Sequence, residues 1–442
     1  MLIPSKIKAD LTHVLDNLEQ NVHQFVKSPG RDFTRHRDFP FKDCIKLLLS
    51  FENHTLPKEI DNYFTFNNGC PPSSSAFSQQ RAKFNDRLFP QLFNDFNRAI
   101  PFSSTYLDLD LLACDGSDIN LPTLSQDNLY YVKYKKKSRI GGYWQMHINT
   151  LFNVCERRFF DVELQPRPQM NEQAALCAMV DRYPSDRNAL FIADRGYPGF
   201  NLFAHIIEHN HYFLVRTCSI YAPNSFLKHM DLPKSGEFDK EVSITLTRSR
   251  KKCYSKHPEK YRYLNPRRRF DYIPGGDTET CYTLNLRVVA VEISEGNMEY
   301  LLTNLPSETF PPSELKTLYG MRWATELSYR SLKYALSLST LHSAKRENII
   351  QEVYAKLTMY NFTSLLEQTV KELLPSKEKG NKWDYKASFS NAVSVAQRFL
   401  RMPICDRILK RLLLRSPSAV HAGKKNPRIV KTQSVKPLNN RG

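Results

Sequence analysis

The feature that most restricts the possible folds is a series of apolar segments between Thr105 and Cys218. TYLDLDLLACDG, HINTLFNV and RFFDVELQP have the alternating or continuous apolar character of β-strands. NEQAALCAMVDRY then has helical periodicity, with Asn171 as its predicted N-cap, and the strands ALFIAD and HYFLVRTC follow, separated by a helical segment. Strands that come first and then alternate with helices predict an α/β fold with a mixed sheet.

The remaining segments of the chain divide around this core. Residues 1–100 have mostly helical patterns; a short helix, a turn and a basic helix there would suit DNA binding, although a small helical domain with a solvated face explains the same pattern. We predict the first part of the core at 101–217, a β-rich insertion at 218–306, the second part of the core at 307–345, a helical region at 346–415 and a basic, disordered tail at 416–442.

The charge of the chain points to a polyanionic partner. Its formal net charge is +18 at pH 7, and binding of such a protein to nucleic acid releases condensed counterions; the alternative is a basic protein that does not bind nucleic acid. The densest basic segment is RSRKKCYSKHPEKYRYLNPRRRFDY, which lies in the predicted insertion and interleaves Lys and Arg with Tyr. Such a segment can hold phosphates and stack on exposed bases, and the alternative is a solvated charged hairpin.

The cysteines and the amino terminus indicate in which cellular compartment the protein is expected. The nine cysteines occur singly without a C-x-x-C pair, which argues against a zinc finger and for free thiols in a reducing compartment. The amino terminus resembles an amphipathic helix and lacks the apolar segment of a signal peptide, and no apolar run is long enough to span a bilayer. These features predict a soluble, cytoplasmic protein that does not act at a membrane.

Two aspartates follow apolar strands and precede a glycine. Asp115 is followed directly by Gly116, and Asp194 is followed by Gly196 two residues later. We expect both aspartates at the carboxyl ends of their strands, where α/β sheets gather ligands. Phosphodiester chemistry uses divalent ions held by two or three converging carboxylates, so both are candidate metal ligands. The alternative is that each aspartate only begins a turn, as Asp-Gly sequences commonly do.

A third carboxylate, Glu326, lies in a helical segment that also contains cations and a phenol. At about 3.6 residues per turn, one helix face within an arc of about 60° presents Tyr319, Arg322, Glu326 and Lys333, with Arg330 beside them. A carboxylate between cations suits a phosphate held next to a metal ion. The alternative is a solvated face on which Arg322 and Arg330 pair with Glu326.

The spacing Tyr319-x-x-Arg322-x-x-x-Glu326-x-x-x-x-x-x-Lys333 resembles the Y-(2)-R-(3)-E-(6)-K signature of a family of bacterial insertion-sequence transposases. CDGSDINLP and FIADRGYPGFNLF are similar to the two aspartate blocks of that family, and SSSAFSQQRAKF is similar to its amino-terminal helical region. The resemblance extends over about residues 30 to 345. It implies a DDE transposase with an RNase H-like α/β core, which a β-rich insertion interrupts between the second aspartate and the glutamate.

The resemblance implies roles for individual residues. Asp115, Asp194 and Glu326 would form the catalytic, metal-binding triad and hold two Mg²⁺ or Mn²⁺ ions in each active site. The DNA beside the scissile phosphate would be contacted by Tyr319, Arg322 and Lys333, with Arg330 on the same helix face.

Three neighbouring residues are expected to be structural. Trp323, inside the signature, should pack its helix against the sheet. His147 lies on a strand after the first aspartate and is left outside the catalytic set, since a lone strand histidine is more often structural. Arg195, next to the second aspartate, is expected to form a salt bridge, and the alternative is a contact with DNA.

The implied reaction is metal-dependent cleavage at the ends of an insertion sequence, followed by strand transfer into target DNA (cut-and-paste transposition). The partners would be double-stranded DNA with terminal inverted repeats, target DNA and a second copy of the chain, as a homodimer in a synaptic complex. The protein would be bacterial, cytoplasmic and nucleoid-associated when bound to DNA, and a hairpin at the excised end is a further expectation. The alternatives are an RNase H-like nuclease that does not join strands and a non-catalytic, domesticated DNA-binding protein.

Overall fold

A computed structural model of the chain describes residues 2–35, 39–65, 70–123, 128–134, 141–380 and 382–420. These residues contain a ten-stranded mixed sheet. Its strands are β1 (Asp110–Leu121), β2 (Tyr131–Lys133), β3 (Gly142–Asn153), β4 (Arg158–Pro166), β5 (Ala189–Ala193), β6 (Tyr212–Thr217), β7 (Phe238–Thr247), β8 (Tyr261–Tyr263), β9 (Cys281–Ser294) and β10 (Asn297–Thr303). Their order across the sheet is β2-β3-β1-β5-β6-β10-β9-β7-β8, and β4 shares the outer edge of β3 with β2.

The pairing of five core strands defines the fold. β3 pairs antiparallel with both β1 and β4, whereas β5 runs parallel to β1 and β6 runs parallel to β5. The order β4-β3-β1-β5-β6, with an antiparallel meander followed by two parallel strands, is that of the RNase H-like fold. The α/β class with a mixed sheet that was predicted from the sequence is therefore confirmed.

The strand that carries Asp115 differs from the prediction. We expected this strand to end at Asp115, but β1 continues to Leu121 because it stays paired with β3 as far as Trp144. Its parallel pairing with β5 ends earlier, with Ala113 opposite Ile192. Asp115 therefore lies in the middle of a strand, just beyond the point where its parallel neighbour ends and leaves one edge of β1 open.

Helices cover both faces of the sheet. Alternate residues of β5 point to opposite faces, so Phe191 packs with α6 (Glu172–Asp181) and α7 (Phe200–Glu208), whereas Ile192 packs with α9 (Pro312–Met321). α10 (Trp323–Tyr334) lies on the α9 side, where its Tyr329 contacts β1 and β3. Burial on both faces explains why β5 is apolar at every position.

The helices at the two ends of the chain form one bundle beside the sheet. They share a single apolar cluster, to which the following helices contribute: α1 (Pro4–Gln20), α2 (Phe41–Ser50), α3 (Leu56–Thr65), α4 (Ser74–Arg81), α5 (Leu88–Ala99), α11 (Arg346–Gln368), α12 (Phe389–Arg401) and α13 (Asp406–Leu413). Inside this bundle Arg81 of α4 and Glu352 of α11 form a buried ion pair at 3.0 Å. The amino-terminal and carboxyl-terminal helices are thus packed as one unit.

The β-rich insertion extends the central sheet. β10 pairs with β6 of the core, and β9 and β7 continue outward from it. The basic segment between β7 and β9 contains the short helix α8 (Lys252–Ser255) and β8. A separate two-stranded sheet joins β11 (Asp384–Lys386) to β12 (Ser418–Val420).

Two sequence predictions concern the ends of the chain and the membrane. Most of the predicted basic tail, residues 421–442, lies outside the described residues. In the part of the chain that the structure describes, no helix is both long and apolar enough to cross a membrane.

Candidate active site

All seven residues that were predicted for the site line one open cleft of about 660 Å³. One wall of the cleft is the sheet, with the middle of β1 and the carboxyl ends of β5 and β6, and α9 and α10 form the other wall. Three separate parts of the chain therefore meet in the cleft. The structure brings together Asp115, Asp194, Tyr319, Arg322, Glu326, Arg330 and Lys333.

The environment of Asp115 combines burial with neighbouring charge. The side chain is partly buried, and the Gly116 N–H donates to its Oδ1 at 2.9 Å. Burial raises the pKa of Asp115 to about 6; Arg322 and the Gly116 N–H oppose this shift, whereas the carboxylates of Asp194 and Glu326 add to it. The carboxylates of Asp194 and Glu326 are therefore close enough to Asp115 to disfavour its charged form.

Asp194 lies where we expected it, directly after β5. The Gly196 N–H donates to Asp194 Oδ1 at 2.9 Å, and the Tyr197 N–H donates to the Asp194 carbonyl oxygen at 3.1 Å. These bonds form a tight turn that leads toward α7 and orient the carboxylate at the edge of the sheet. Asp194 therefore begins a turn, as one alternative from the sequence proposed, and its carboxylate also lines the cleft.

Arg322 lies between two of the carboxylates. Its Nη2 donates to Glu326 Oε1 at 3.0 Å, and its Nη1 lies 3.7 Å from Asp115 Oδ2. The Arg322 side chain is 8% exposed, and its guanidinium lies 5.7 Å from the centre of the Tyr319 ring. The ion pair of Arg322 with Glu326, which the sequence suggested for a solvated helix face, is therefore present. It lies inside the cleft, where Asp115 is a second carboxylate beside Arg322.

The signature spans two helices, which differs from the single helix predicted from the spacing. α9 ends at Met321 and α10 begins at Trp323, while Arg322 at the junction keeps helical dihedral angles (φ −51°, ψ −31°). The chain tightens there because the Arg322 N–H bonds to the carbonyl of Tyr319, three residues back, at 3.1 Å. Tyr319 consequently belongs to α9 and Glu326 to α10, although both line the cleft.

Two side chains attach α10 to β1. Lys333 Nζ donates to Ser117 Oγ at 2.7 Å and to the Asp118 carbonyl oxygen at 2.8 Å. The Tyr329 hydroxyl donates to the carbonyl oxygen of Asp115 at 2.8 Å. Burial lowers the pKa of Lys333, and the charges of Asp118 and Asp115 oppose that shift. The helix that carries Glu326 is thereby held against the strand that carries Asp115.

The expectation that Trp323 packs its helix against the sheet is wrong. The side chain is 51% exposed and lines the cleft, because the buried side of α10 is formed by Tyr329 and Leu332. Arg330 is also exposed on the wall of the cleft. The outer part of this wall is therefore aromatic and basic.

His147 is buried on β3, on the other face of the sheet from α10. Its Nδ1 lies 2.7 Å from Asp118 Oδ1, and its Nε2 lies 3.1 Å from Glu172 Oε1 at the start of α6. Hydrogen bonds to these carboxylates outweigh burial and raise the pKa of His147 to about 9. The residue is not among those that line the cleft.

Sequence reasoning missed Arg216 and misjudged Arg195. Arg216, near the end of β6, lines the cleft and pairs with Glu299 at 3.2 Å. Its position at the carboxyl end of the strand beside Asp194 is the signal that could have identified it. The salt bridge expected for Arg195 is not formed: among the described residues it has no acidic partner within ion-pair distance.

The donor atoms in the cleft suit a hard divalent cation. The residues that line it include three carboxylates but neither Cys nor His, which is the ligand chemistry that Mg²⁺ and Mn²⁺ prefer. Arg322 already brings positive charge between Asp115 and Glu326. Within the described ranges, no three His, Cys, Asp or Glu side chains are arranged as a metal site. The residues in the cleft that would hold such an ion are Asp115, Asp194 and Glu326.

The fold and the carboxylate cleft define a DDE transposase. The chain matches the family model described as the transposase DDE domain over residues 107–362, more than half of its length, and it belongs to that family. Enzymes of this family act on DNA and generally use divalent metal ions.

Shorter segments of the chain are similar to curated transposases of insertion sequences. The chain is 34% identical over 109 residues to transposase InsG for insertion sequence element IS4 of Escherichia coli (strain K12), which is 24% of each chain. It is 27% identical over 90 residues to the transposase for insertion sequence element IS231E of Bacillus thuringiensis subsp. finitimus, covering 20% of this chain and 19% of that one. The chain thus matches about a quarter or less of the length of these relatives, and the resemblance to insertion-sequence transposases is confirmed.

One solved structure is similar over a larger part of the chain. It is a cryo-EM structure of the piggyBac transposase synaptic complex with hairpin DNA, with a TM-score of 0.46 and 10% sequence identity. The similarity covers 93% of this chain and 85% of that one.

Proposed function

We propose that this protein is the transposase of a bacterial insertion sequence, which cuts DNA at the ends of the element and joins those ends to target DNA. The observation that carries the proposal is that Asp115, Asp194 and Glu326 line one cleft together with basic residues of α9 and α10. In this proposal the core at 101–217 and 307–345 is catalytic. Residues 1–100, the insertion at 218–306 and the tail at 416–442 contribute DNA contacts.

The three carboxylates would hold two Mg²⁺ or Mn²⁺ ions, which when bound activate the attacking oxygen and neutralise charge on the leaving oxygen. Arg322 pairs with Asp115 and Glu326 in this structure. The planar guanidinium of Arg322 would also be able to bind a phosphate oxygen of DNA in the cleft. Tyr319, which lies against Arg322, would position that guanidinium and contact the same DNA strand.

Lys333 and Arg330 would contact DNA at different places, Lys333 inside the cleft and Arg330 on its exposed wall. Lys333 is bonded to β1 through Ser117 and the Asp118 carbonyl, so its charge is fixed beside the first aspartate. Arg330 is exposed on the cleft wall and can follow the DNA backbone outward. Both would neutralise phosphate charge without taking part in bond making.

The reaction comprises two displacements at phosphorus. In the first, the oxygen of water bonds to the phosphorus at the element boundary, the P–O3′ bond breaks, and the leaving 3′ oxygen takes up a proton. The element end thereby gains a 3′-hydroxyl. In the second, that hydroxyl loses its proton, its oxygen bonds to a target phosphorus, and the P–O3′ bond of the target breaks with protonation of the leaving oxygen. Such transfers depend mainly on positioning and charge neutralisation, so no side chain needs to form a covalent intermediate.

The DNA partners are double-stranded element ends with terminal inverted repeats and a target duplex. Because two ends must be cut and joined together, we propose that a homodimer forms the synaptic complex. A hairpin intermediate at the excised end is a further proposal. An excision assay that yields nicked ends but no hairpin would rule out this intermediate.

The test is cleavage of labelled DNA that carries the inverted repeats, in the presence of Mg²⁺ or Mn²⁺. We expect the wild type to cut at the repeat boundary and Asp194→Ala to bind the same DNA without cutting it. Asp186→Ala is the matched control, since Asp186 is an exposed aspartate outside the cleft, and it should cut like the wild type. If the wild type binds but cuts with neither metal, the non-catalytic DNA-binding alternative replaces the proposal.

A second assay separates a transposase from an RNase H-like nuclease. Pre-cleaved ends are incubated with a target plasmid, and joined products are resolved on a gel. A transposase produces such products, whereas a nuclease releases only cleaved ends. Cleavage without any joining would favour the nuclease.

A further inference from the structure

A second cavity, of about 320 Å³, adjoins the catalytic cleft. It is formed by the turn after β5, the end of β6 and two segments of the insertion. Arg195 lines both cavities, so the two are neighbours at the edge of the sheet where Asp194 lies. The second cavity contains none of the residues proposed to hold metal or the element end.

The charge of the second cavity is strongly positive. Its lining has no Asp or Glu, and its basic members are Arg195, Lys228, His229, Arg262 and Arg268. Among the described residues, Arg195, Lys228 and Arg268 have no acidic partner within ion-pair distance. A cluster of exposed cations without counter-charges favours a phosphate-bearing ligand over a neutral one.

The cations of the second cavity are partly held in place. Arg262 donates to the Lys228 carbonyl oxygen at 2.7 Å, which ties the basic segment of the insertion to the loop after β6. The guanidinium of Arg268 lies 5.8 Å from the centre of the Phe200 ring, and Phe200 packs on Phe226 with ring centres 4.7 Å apart. The basic segment of the insertion is therefore folded against α7, which argues against the solvated hairpin considered from its sequence.

The two cavities lie on opposite faces of the sheet. The catalytic cleft is on the α9 and α10 face, whereas the second cavity includes Phe200 at the start of α7, which packs on the other face. Both reach the carboxyl ends of β5 and β6. A ligand that extends past Asp194 from the cleft would therefore meet Arg195 and then the second cavity.

In-line displacement determines from which side each DNA must come. The attacking and the leaving oxygen lie on opposite sides of the phosphorus, so the element end and the target strand must approach the metal site from opposite directions. If the cations of α9 and α10 hold the element end, the side of the cleft at Asp194 and Arg195, where the second cavity begins, is left for the target. We propose that the second cavity binds the phosphate backbone of target DNA during strand transfer, an inference that rests on the proposed function.

The test uses the double variant Lys228→Ala/Arg268→Ala in the full chain. Both side chains are exposed and outside the catalytic cleft, and Arg195 is left unchanged because it lines both cavities. We expect cleavage of labelled element ends at the wild-type rate and about tenfold weaker joining of pre-cleaved ends to a plasmid. The slope of log affinity for target DNA against log salt should fall by about two, since roughly one counterion is released per phosphate contact.

The control is Lys371→Ala/Lys377→Ala, which removes two exposed lysines of the region 346–415 that line neither cavity and for which no DNA contact is proposed. This variant should cleave and join like the wild type. Wild-type joining by Lys228→Ala/Arg268→Ala would overturn the inference. An equal loss of end cleavage would also overturn it, because the cavity would then serve the element end. Failure of the wild type to cleave at all would instead refute the proposed function.

Discussion

Glu172 Oε1 lies 3.1 Å from His147 Nε2, directly behind the backbone of Gly116. A Cβ atom on Gly116 would be 2.6 Å from that carboxylate oxygen and 2.4 Å from the His147 nitrogen. The next residue of α6, Gln173, donates to the carbonyl oxygen of Pro198 at 3.0 Å, in the turn that follows Asp194. The first turn of α6 thus contacts the strand that carries Asp115 and the turn that follows Asp194. These contacts are on the side of the sheet opposite the cleft, and they hold the two segments in position relative to each other.

Gly116→Ala should destabilise the fold. The added methyl group would overlap Glu172 and His147, and overpacking of a filled site costs about 1–3 kcal/mol. Urea unfolding followed by circular dichroism measures the loss. Gly276→Ala is the matched control, because a Cβ atom there meets nothing within 4 Å. Equal stability of the two variants would show that the contact behind Gly116 is absent or easily relieved.

Arg322→Lys should abolish most cleavage although it keeps the charge. An ammonium cannot reproduce the two-sided contact of the guanidinium with Asp115 and Glu326, nor its planar binding of a phosphate. We expect the rate of end cleavage to fall by about 10²–10³-fold, the range seen when one donor to transition-state charge is lost. Arg98→Lys, at an exposed arginine of α5, should leave the rate unchanged. Near-normal cleavage by Arg322→Lys would mean that only charge is needed at this position.

Mn²⁺ should stabilise the wild type in the absence of DNA. A ligand that binds only the folded state raises the free energy of unfolding by about 2.7 kcal/mol at a concentration one hundred times its Kd. Differential scanning fluorimetry with increasing Mn²⁺ should therefore show a rising Tm. Glu326→Gln should lose this rise, whereas Glu347→Gln, at an exposed glutamate on α11, should keep it. The same rise in Glu326→Gln would place the metal elsewhere.

The buried pair of Arg81 and Glu352 should make stability depend on acid pH. Burial alone would raise the pKa of Glu352, but Arg81 and hydrogen bonding with His342 outweigh it and lower the pKa to about 2. A carboxyl with a depressed folded pKa stabilises the protein above its unfolded pKa of about 4.3, and this stability is lost as the pH falls toward 2. Glu352→Gln should remove this component and cost about 3–5 kcal/mol at pH 7, because it leaves the buried charge of Arg81 without the opposite charge of Glu352.

Urea unfolding of the wild type and Glu352→Gln between pH 7 and pH 3 measures this effect. The difference between their unfolding free energies should shrink as the pH falls below about 4.3, where the unfolded carboxyl takes up its proton. Glu347→Gln on the same helix is exposed and should follow the wild type at every pH. A difference that stays constant with pH would contradict the assigned pKa direction.

Most of the candidate site could be predicted because its residues follow local patterns. Asp194 was found from an apolar strand followed by a turn, and the position of Glu326 followed from spacing on a helix and from the resemblance. The break at Arg322 and the exposure of Trp323 could not be predicted in this way. Helical periodicity gives the relative directions of side chains, but which side faces the sheet depends on how α10 packs on β1.

The sequence by itself determined the class of fold, the positions of the strands and helices of the core, and the candidate carboxylates, because alternation, helical periodicity and residue spacing are properties of neighbouring residues. Only the tertiary structure decided that Asp115 lies within a strand, since that depends on pairing with Thr150 of β3, 35 residues later in the chain. It also brought Arg195 and Arg268 to one cavity beside Asp194. Such convergence requires contacts between residues far apart in the chain, and no local pattern encodes their meeting.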